Sequence, residues 1–361
     1  MPRRLYILLL LPLLAACAGR PLTPWSADGP PLIVAPASSV GVSDQRGRFR
    51  EIACAVIEAH GAEQPGYQPC TEALTRMGDE PGATGEPVDL GPSRRGLVAA
   101  MVPGIGWDCF RNWLDFQQLS GSLENRSGYR GFILEVDGLS GSDNNARQVR
   151  DGVLAEADRL ADHELVLIGY SKGAPDILQA VVDYPEIRPH LAAVVSVAGA
   201  IGGSPLANTA SEGQLDLLRH VPKADCSPGD GEGITSLRPA VRRAWLAEHP
   251  LPNDIPFYSV VTLPAEDRIS TVMHGSHRKL ARIDPRNDGQ LISWDQIIPG
   301  STLVGYLNAD HWAVAVPIAE SHAFLGKTFV NHNAYPWRAM LESVIRFVEE
   351  DLDRRDASGS Q

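Results

Sequence analysis

Basic clusters are missing from this sequence. Its 361 residues hold 32 Lys and Arg against 44 Asp and Glu, a net charge of -12. An acidic chain without a basic stripe argues against a nucleic-acid partner and against electrostatic adhesion to anionic lipid. Cysteine is scarce, five in all, and neither C-x-x-C nor a Cys/His zinc spacing occurs. No apolar run is long enough to span a bilayer. Internal repeats and long low-complexity tracts are absent as well. What remains is a chain with 43% hydrophobic residues. That content suffices for a full core, and the length suits one large α/β domain with insertions or two small domains.

The N-terminus reads as a targeting segment. Arg3 and Arg4 precede an apolar run over 5–16, broken by Pro12, and this has the layout of a signal-peptide core. It ends Leu14-Ala15-Ala16-Cys17, which resembles the bacterial lipobox. The resemblance implies lipidation of Cys17 after removal of 1–16, and a mature charge of -14, since Arg3 and Arg4 leave with the leader. Ala18, where an Asp would redirect sorting, implies the periplasmic face of a Gram-negative outer membrane. Several acyl chains, at about 0.8 kcal/mol per buried CH₂, would hold a soluble domain there. Export also suits the four other cysteines, Cys54, Cys70, Cys109 and Cys226. Two disulfides allow three connectivities. Cys54–Cys70 with Cys109–Cys226 is favoured, the first closing a loop of about 15 residues for roughly 3 kcal/mol. Four buried thiols are the alternative.

Residues 17–31, rich in Pro, Gly and Ala, read as a tether. The segment 32–95 is harder to assign. It offers a short strand at 32–34 and helical spacing from Phe49 to Ala59, and reads as an elaboration at the domain edge. From 96 the pattern is regular. Near-continuous apolar runs at 97–102, 132–136, 164–168, 191–197, 255–262 and 302–307 predict strands buried on both faces. Helical stretches are expected at 111–124, 145–161, 172–184 and 337–352. Alternating strand and helix predicts an α/β fold, a mostly parallel sheet with helices on both faces. The widest gap, between the strands near 197 and 255, carries an insertion over 205–250 expected to form a cap or lid. Residues 353–361 read as a flexible tail.

The most informative stretch is the apolar run Glu164-Leu165-Val166-Leu167-Ile168 followed by Gly169-Tyr170-Ser171-Lys172-Gly173 and a helix. Strand, Gly-x-Ser-x-Gly, helix is the layout of a nucleophile elbow. The glycines are needed where a side chain would collide with the neighbouring strand or helix. Such a turn exposes the Ser171 hydroxyl at the carboxyl end of the sheet. It also puts the Lys172 N–H at a helix start, where developing negative charge is stabilised.

A serine hydroxyl needs a base in contact, a carboxylate behind the base, and donors for the oxyanion. His311 stands just past the final predicted strand and before the last helix, the one histidine of ten with that placement. For the acid there are two candidates. Asp288 lies in a loop beside Gly289, and Asp267 directly follows the strand at 255–262. Asp310 abuts the histidine in sequence and would point elsewhere or support it. The loop Val102-Pro103-Gly104-Ile105-Gly106 offers the Ile105 N–H as second oxyanion donor, because small residues let the backbone approach a substrate.

These motifs resemble the α/β-hydrolase superfamily, in its bacterial lipase and esterase branch. Ala198-Gly199-Ala200-Ile201-Gly202-Gly203-Ser204-Pro205-Leu206-Ala207-Asn208 is similar to the Gly-Ser-x-x-Ala-Asp signature of secreted lipases. Asn287-Asp288-Gly289 is similar to their Asn-Asp-Gly acid loop, which favours Asp288 over Asp267. The resemblance covers 96–352 and departs at Pro103, where lipases commonly have His, and at Asn208, where they have Asp. It implies a serine hydrolase acting on carboxylic esters, with Ser171, Asp288 and His311 catalytic and Ile105 and Lys172 giving the oxyanion hole. An ester-containing or acyl-containing small molecule or lipid would be its substrate, and no cofactor or metal is implied. Acyl transfer or amide cleavage on envelope lipids or glycans uses the same elbow. A catalytically silent binding lipoprotein is the reading from another class. His274-x-x-His277 reads as a solvated helix face rather than a metal site, having no third ligand nearby. Ser171 and Lys172 are not a Ser-Lys dyad, since neighbours on an elbow point apart.

Overall fold

Six apolar runs form the strands that their patterning predicts, because helices cover them on both faces. The computed structural model describes residues 41–359 apart from 65, 112–126, 158, 160–162, 221–223, 317 and 319–322. The expected leader, Cys17, the tether, the strand at 32–34 and nearly all of the helix at 111–124 lie outside the described residues. The strands are β1 (Ser43–Asp44), β2 (Leu74–Thr75), β3 (Val98–Val102), β4 (Arg130–Ile133), β5 (Leu165–Tyr170), β6 (Leu191–Val197), β7 (Phe257–Thr262) and β8 (Thr302–Leu307). They make one sheet in the order β1-β8-β7-β6-β5-β3-β4, parallel throughout, with β2 antiparallel on β8. β5 is central and buried along nearly its whole length. The next residue after β5 therefore emerges in the middle of the carboxyl edge.

Four main helices cover the faces: α1 (Arg46–Val56), α2 (Ser142–Ala157), α3 (Gly173–Asp183) and α4 (Trp337–Gly359). Ile177, Leu178 and Val181 of α3 pack with Val149 and Val153 of α2 against Val98, Ala100, Leu165 and Leu167. On the other face, Met340, Val344, Phe347 and Val348 of α4 meet Phe49, Ile52 and Val56 of α1 over Val166, Ile168, Tyr258 and Val304. Phe347 takes both Phe49 and Tyr258 edge to face, at 6.1 and 6.0 Å between ring centres. A Cβ on Gly305 would sit 2.6 Å from the Phe49 ring, so that glycine makes the room for α1.

Two expectations change. The segment read as an edge elaboration up to residue 95 supplies, from 41 onward, two strands on the outer edge of β8 and a core helix. β1 pairs with Thr302 and Leu303, β2 with Tyr306 and Leu307. Two-residue strands carry no alternation for sequence to show. The tail expected at 353–361 continues α4 to Gly359, with the pairs Arg354–Glu350 and Arg355–Asp351 at i,i+4 supporting its outer turns. Both disulfides form as favoured, Cys54–Cys70 and Cys109–Cys226. Among the described residues no helix is long and apolar enough to cross a membrane.

Candidate active site

The turn from β5 to α3 holds Ser171 at φ 53, left-handed backbone that only one other non-glycine residue adopts among the described residues. That other residue is Ala198, at φ 48, on the turn after β6. Two hydrogen bonds staple the turns together. Ser171 N–H donates to the Val197 carbonyl at 3.2 Å, and Ala200 N–H donates to the Ser171 carbonyl at 2.9 Å. Strain of this kind persists only where the surroundings over-determine it. The two glycines show how tightly. A Cβ at Gly169 would lie 2.4 Å from Ala174 Cα, and one at Gly173 would lie 2.1 Å from the Val102 carbonyl oxygen.

His311 follows β8, three strands along the sheet from β5, and reaches across the carboxyl edge to the serine. Its Nε2 lies 2.9 Å from Ser171 Oγ, and its Nδ1 lies 2.7 Å from Asp288 Oδ2. Asp288 comes from the long excursion between β7 and β8 and is fully buried. The same Oδ2 accepts from Thr262 Oγ1 at 2.6 Å and Gln296 Nε2 at 3.2 Å. Oδ1 accepts the Gln290 and Leu291 N–H groups at 2.9 and 2.7 Å. Burial pushes this carboxyl up, but the charge and hydrogen bond of His311, with Thr262 and the Leu291 N–H, outweigh it and hold the pKa below the usual range. An ionised Asp288 surrounded by donors can only accept. His311 therefore carries its proton on Nδ1 and turns the Nε2 lone pair toward Ser171.

The competing carboxylate, Asp267, sits exposed in the short turn Glu266–Arg268. The ring nitrogens of His311 bond Ser171 and Asp288 instead. Asp310 is buried and braces the histidine loop, accepting from Ser270, Trp312 and Ala313 N–H groups. Burial raises its pKa. Over the serine lies the loop after β3. A Cβ on Gly104 would be 2.9 Å from Ser171 Cβ, so Ile105 stands directly beside the nucleophile. No hydrogen bond within the described residues uses the Ile105 or Lys172 N–H. Gly106, at φ 71, donates to the Gly138 carbonyl at 2.8 Å and so turns the loop back.

No protein-family model matches this chain, and no curated protein does. Among solved structures, the metagenomic carboxyl esterase MGS0156 is 38% identical, with a TM-score of 0.82 over 95% of this chain and 99% of that one. The chain belongs to the α/β-hydrolase superfamily. It is a serine hydrolase of the carboxylesterase kind. The mature Bacillus licheniformis lipase BlEst2 shares the fold at 16% identity and a TM-score of 0.50, over 63% of this chain and 89% of that one.

The insertion of this hydrolase over 205–250 packs on the loop that follows β3. It holds the short helices Glu212–Asp216 and Pro239–Glu248 with turns between them. Leu215 and Leu218 join Ile105, Cys109 and Leu139 in one apolar cluster, and Cys226 is bonded to Cys109. The loop similar to the lipase signature touches the acid loop, Ser204 Oγ donating to the Gln290 carbonyl at 2.6 Å. Asp108, Cys109 and Cys226 form the one cluster of metal-ligand types among the described residues, and its sulfurs are joined to each other. His274 and His277 belong to no such cluster.

Three participants were not read from the sequence. Thr262 and Gln296 hold the Asp288 carboxylate. Tyr170 donates its hydroxyl to the His311 carbonyl at 2.7 Å, tying the residue before Ser171 to the histidine loop. The contacts of Thr262 and Tyr170 join segments 26 and 141 residues apart, and no motif marks any of the three. Tyr170 also helps to line an apolar cavity with Met101, Pro103, Trp107, Val314 and Met340.

Proposed function

We propose that this hydrolase is a lipid-anchored carboxylesterase that works through an acyl-enzyme on Ser171. The observation that carries the reading is the unbroken relay Ser171–His311–Asp288, with both contacts at hydrogen-bond length. Ser171 Oγ attacks the acyl carbon while His311 Nε2 takes its proton. Asp288 stabilises the imidazolium and keeps its tautomer. The N–H groups of Ile105 and Lys172 receive the oxyanion. His311 then protonates the leaving alcohol, and water, deprotonated by the same imidazole, releases the acid and frees the serine.

The apolar cavity beside Tyr170 favours a hydrocarbon acyl or alcohol group over a glycan. The likeness to the carboxyl esterase MGS0156 points the same way. For the anchor, support comes from the layout of 5–16 and from Leu14-Ala15-Ala16-Cys17. Cys17 would carry the lipid and hold the domain at the periplasmic face of the outer membrane. Two experiments test the proposal. Ser171→Ala should abolish fluorophosphonate labelling and turnover of p-nitrophenyl esters of graded acyl length, and labelling that survives removes the nucleophile. Cys17→Ala should abolish incorporation of labelled palmitate in cells.

A further inference from the structure

Lys172, beside the nucleophile, is one of the largest fully buried side chains of the molecule. Its Nζ lies 2.9 and 2.8 Å from the two oxygens of Asp176, a carboxylate with no exposed surface. Helix physics explains only half of the pair, since Asp176 sits in the first turn of α3, where the dipole favours a carboxylate. Lys172 caps the amino end of α3, where the dipole disfavours a cation, and a lysine four residues before its acid has the weaker orientation. Stability does not explain the other half, because a buried ion pair is often no better than apolar groups of the same volume. Broken local rules concentrate where function requires them.

The acid is anchored from outside its helix. Asn145 Nδ2 donates to Asp176 Oδ2 at 2.8 Å and to the Asp137 carbonyl at 3.1 Å. Arg242, buried in the insertion, donates to the Ile201 carbonyl and feels the Asp176 charge. One carboxylate thus holds the Lys172 ammonium and the Asn145 tether beneath the elbow. The ammonium of Lys172 is fixed at the far end of the same residue whose backbone N–H faces the oxyanion.

We propose that the buried Lys172–Asp176 pair is a positioning device for the oxyanion site, locking the peptide that follows the nucleophile so that its N–H is aimed before substrate arrives. The inference rests on the esterase reading above. An aimed donor matters because removal of one costs about 10²–10³ in rate, and misaiming it forfeits part of that.

The test compares Asp176→Asn and the double variant Lys172→Met/Asp176→Leu with wild type, using kcat, KM, thermal midpoint and affinity for an aryl trifluoromethyl ketone. That ketone adds to Ser171 Oγ. The O–C bond forms, the carbonyl pair becomes an oxyanion, and the serine proton passes to His311, so its affinity reports on the oxyanion site. The pair variants should lose on the order of 10-fold to 100-fold in kcat with KM within about twofold, and ketone affinity should fall by a like factor. The double variant should do so even where its apolar pair restores the thermal midpoint. Either folded variant with wild-type kcat and ketone affinity overturns the proposal. Failure of both to fold overturns it too, since the pair would then be a folding element. A Ser171→Ala enzyme that still turns over would instead sink the esterase reading, which keeps the two failures apart.

Discussion

Asp288→Asn is the sharpest single perturbation of the relay, because an amide fits neither of its two orientations. With its oxygen toward His311, the amide NH₂ faces the N–H groups of Gln290 and Leu291, which now lie 2.9 and 2.7 Å from Oδ1. Two donors would then meet a third. With the NH₂ turned toward His311 instead, it donates to Nδ1, 2.7 Å from the present Oδ2. That orientation drives the imidazole proton to Nε2, the atom that must accept from Ser171. The carboxylate charge that stabilises the imidazolium is lost in both. The same change in the serine-protease triad costs about 10⁴ in kcat, or about 5.5 kcal/mol at 1.36 kcal/mol per decade. We expect a loss of that order here in kcat for a p-nitrophenyl ester, with KM within a few fold. The stranded donors should also lower unfolding stability by about 1–3 kcal/mol. Asp267→Asn, at an exposed turn, should change neither quantity. A folded Asp288→Asn enzyme within tenfold of wild type would refute the tautomer argument. A larger loss from Asp267→Asn would move the acid to the other loop.

Three further outcomes are expected. Gly173→Ala places a Cβ 2.1 Å from the Val102 carbonyl oxygen and 2.7 Å from that of Pro103. Both are backbone atoms that cannot swing aside, so fluorophosphonate labelling should slow by at least about 100-fold. Asp295 is pushed up from 3.8 to about 6 by burial, which the charge of Arg243 only partly offsets. Its folded pKa exceeds the unfolded one, so ionisation costs stability as pH rises from about 4 through about 6. Asp295→Asn should therefore raise stability by about 2–3 kcal/mol at pH 7.5 and leave it unchanged near pH 4, as denaturant titrations would read. Equal effects at both pH values would contradict the burial assignment. Cys109 and Cys226 are 117 residues apart in sequence. Replacing both by Ala should cost up to about 5 kcal/mol in the chain-entropy account, and should lower kcat as well because the bond pins the helix that follows the oxyanion loop.

Much of this site was legible because its central part is local. The sequence from Leu165 to Val181 carries a buried strand, two obligatory glycines and a helix within one short stretch. The left-handed serine follows from those parts alone. His311 was legible from chain order, since it follows the last strand. The outer edge was not. β1 and β2 take two residues each and exist only because β8 offers unpaired backbone.

The acid marks where local reading stopped. Asp267 lies five residues past β7 and Asp288 much farther, so proximity in the chain favours Asp267. What brings Asp288 rather than Asp267 to His311 is the path of 263–301, which folds back until Asp288 meets Thr262, the last residue of β7, and Gln296. That return is set by burial of Ile292, Ile298 and Leu291, contacts no motif encodes; only the likeness of Asn287-Asp288-Gly289 to a known acid loop pointed there. Lys172 teaches the same from the opposite side. Its spacing to Asp176 is visible in the sequence, and its backbone role was expected, but i,i+4 pairs are ordinarily solvent-exposed. Only packing from α2 and the insertion removes this pair from water, and burial turns a commonplace spacing into a constraint on the elbow.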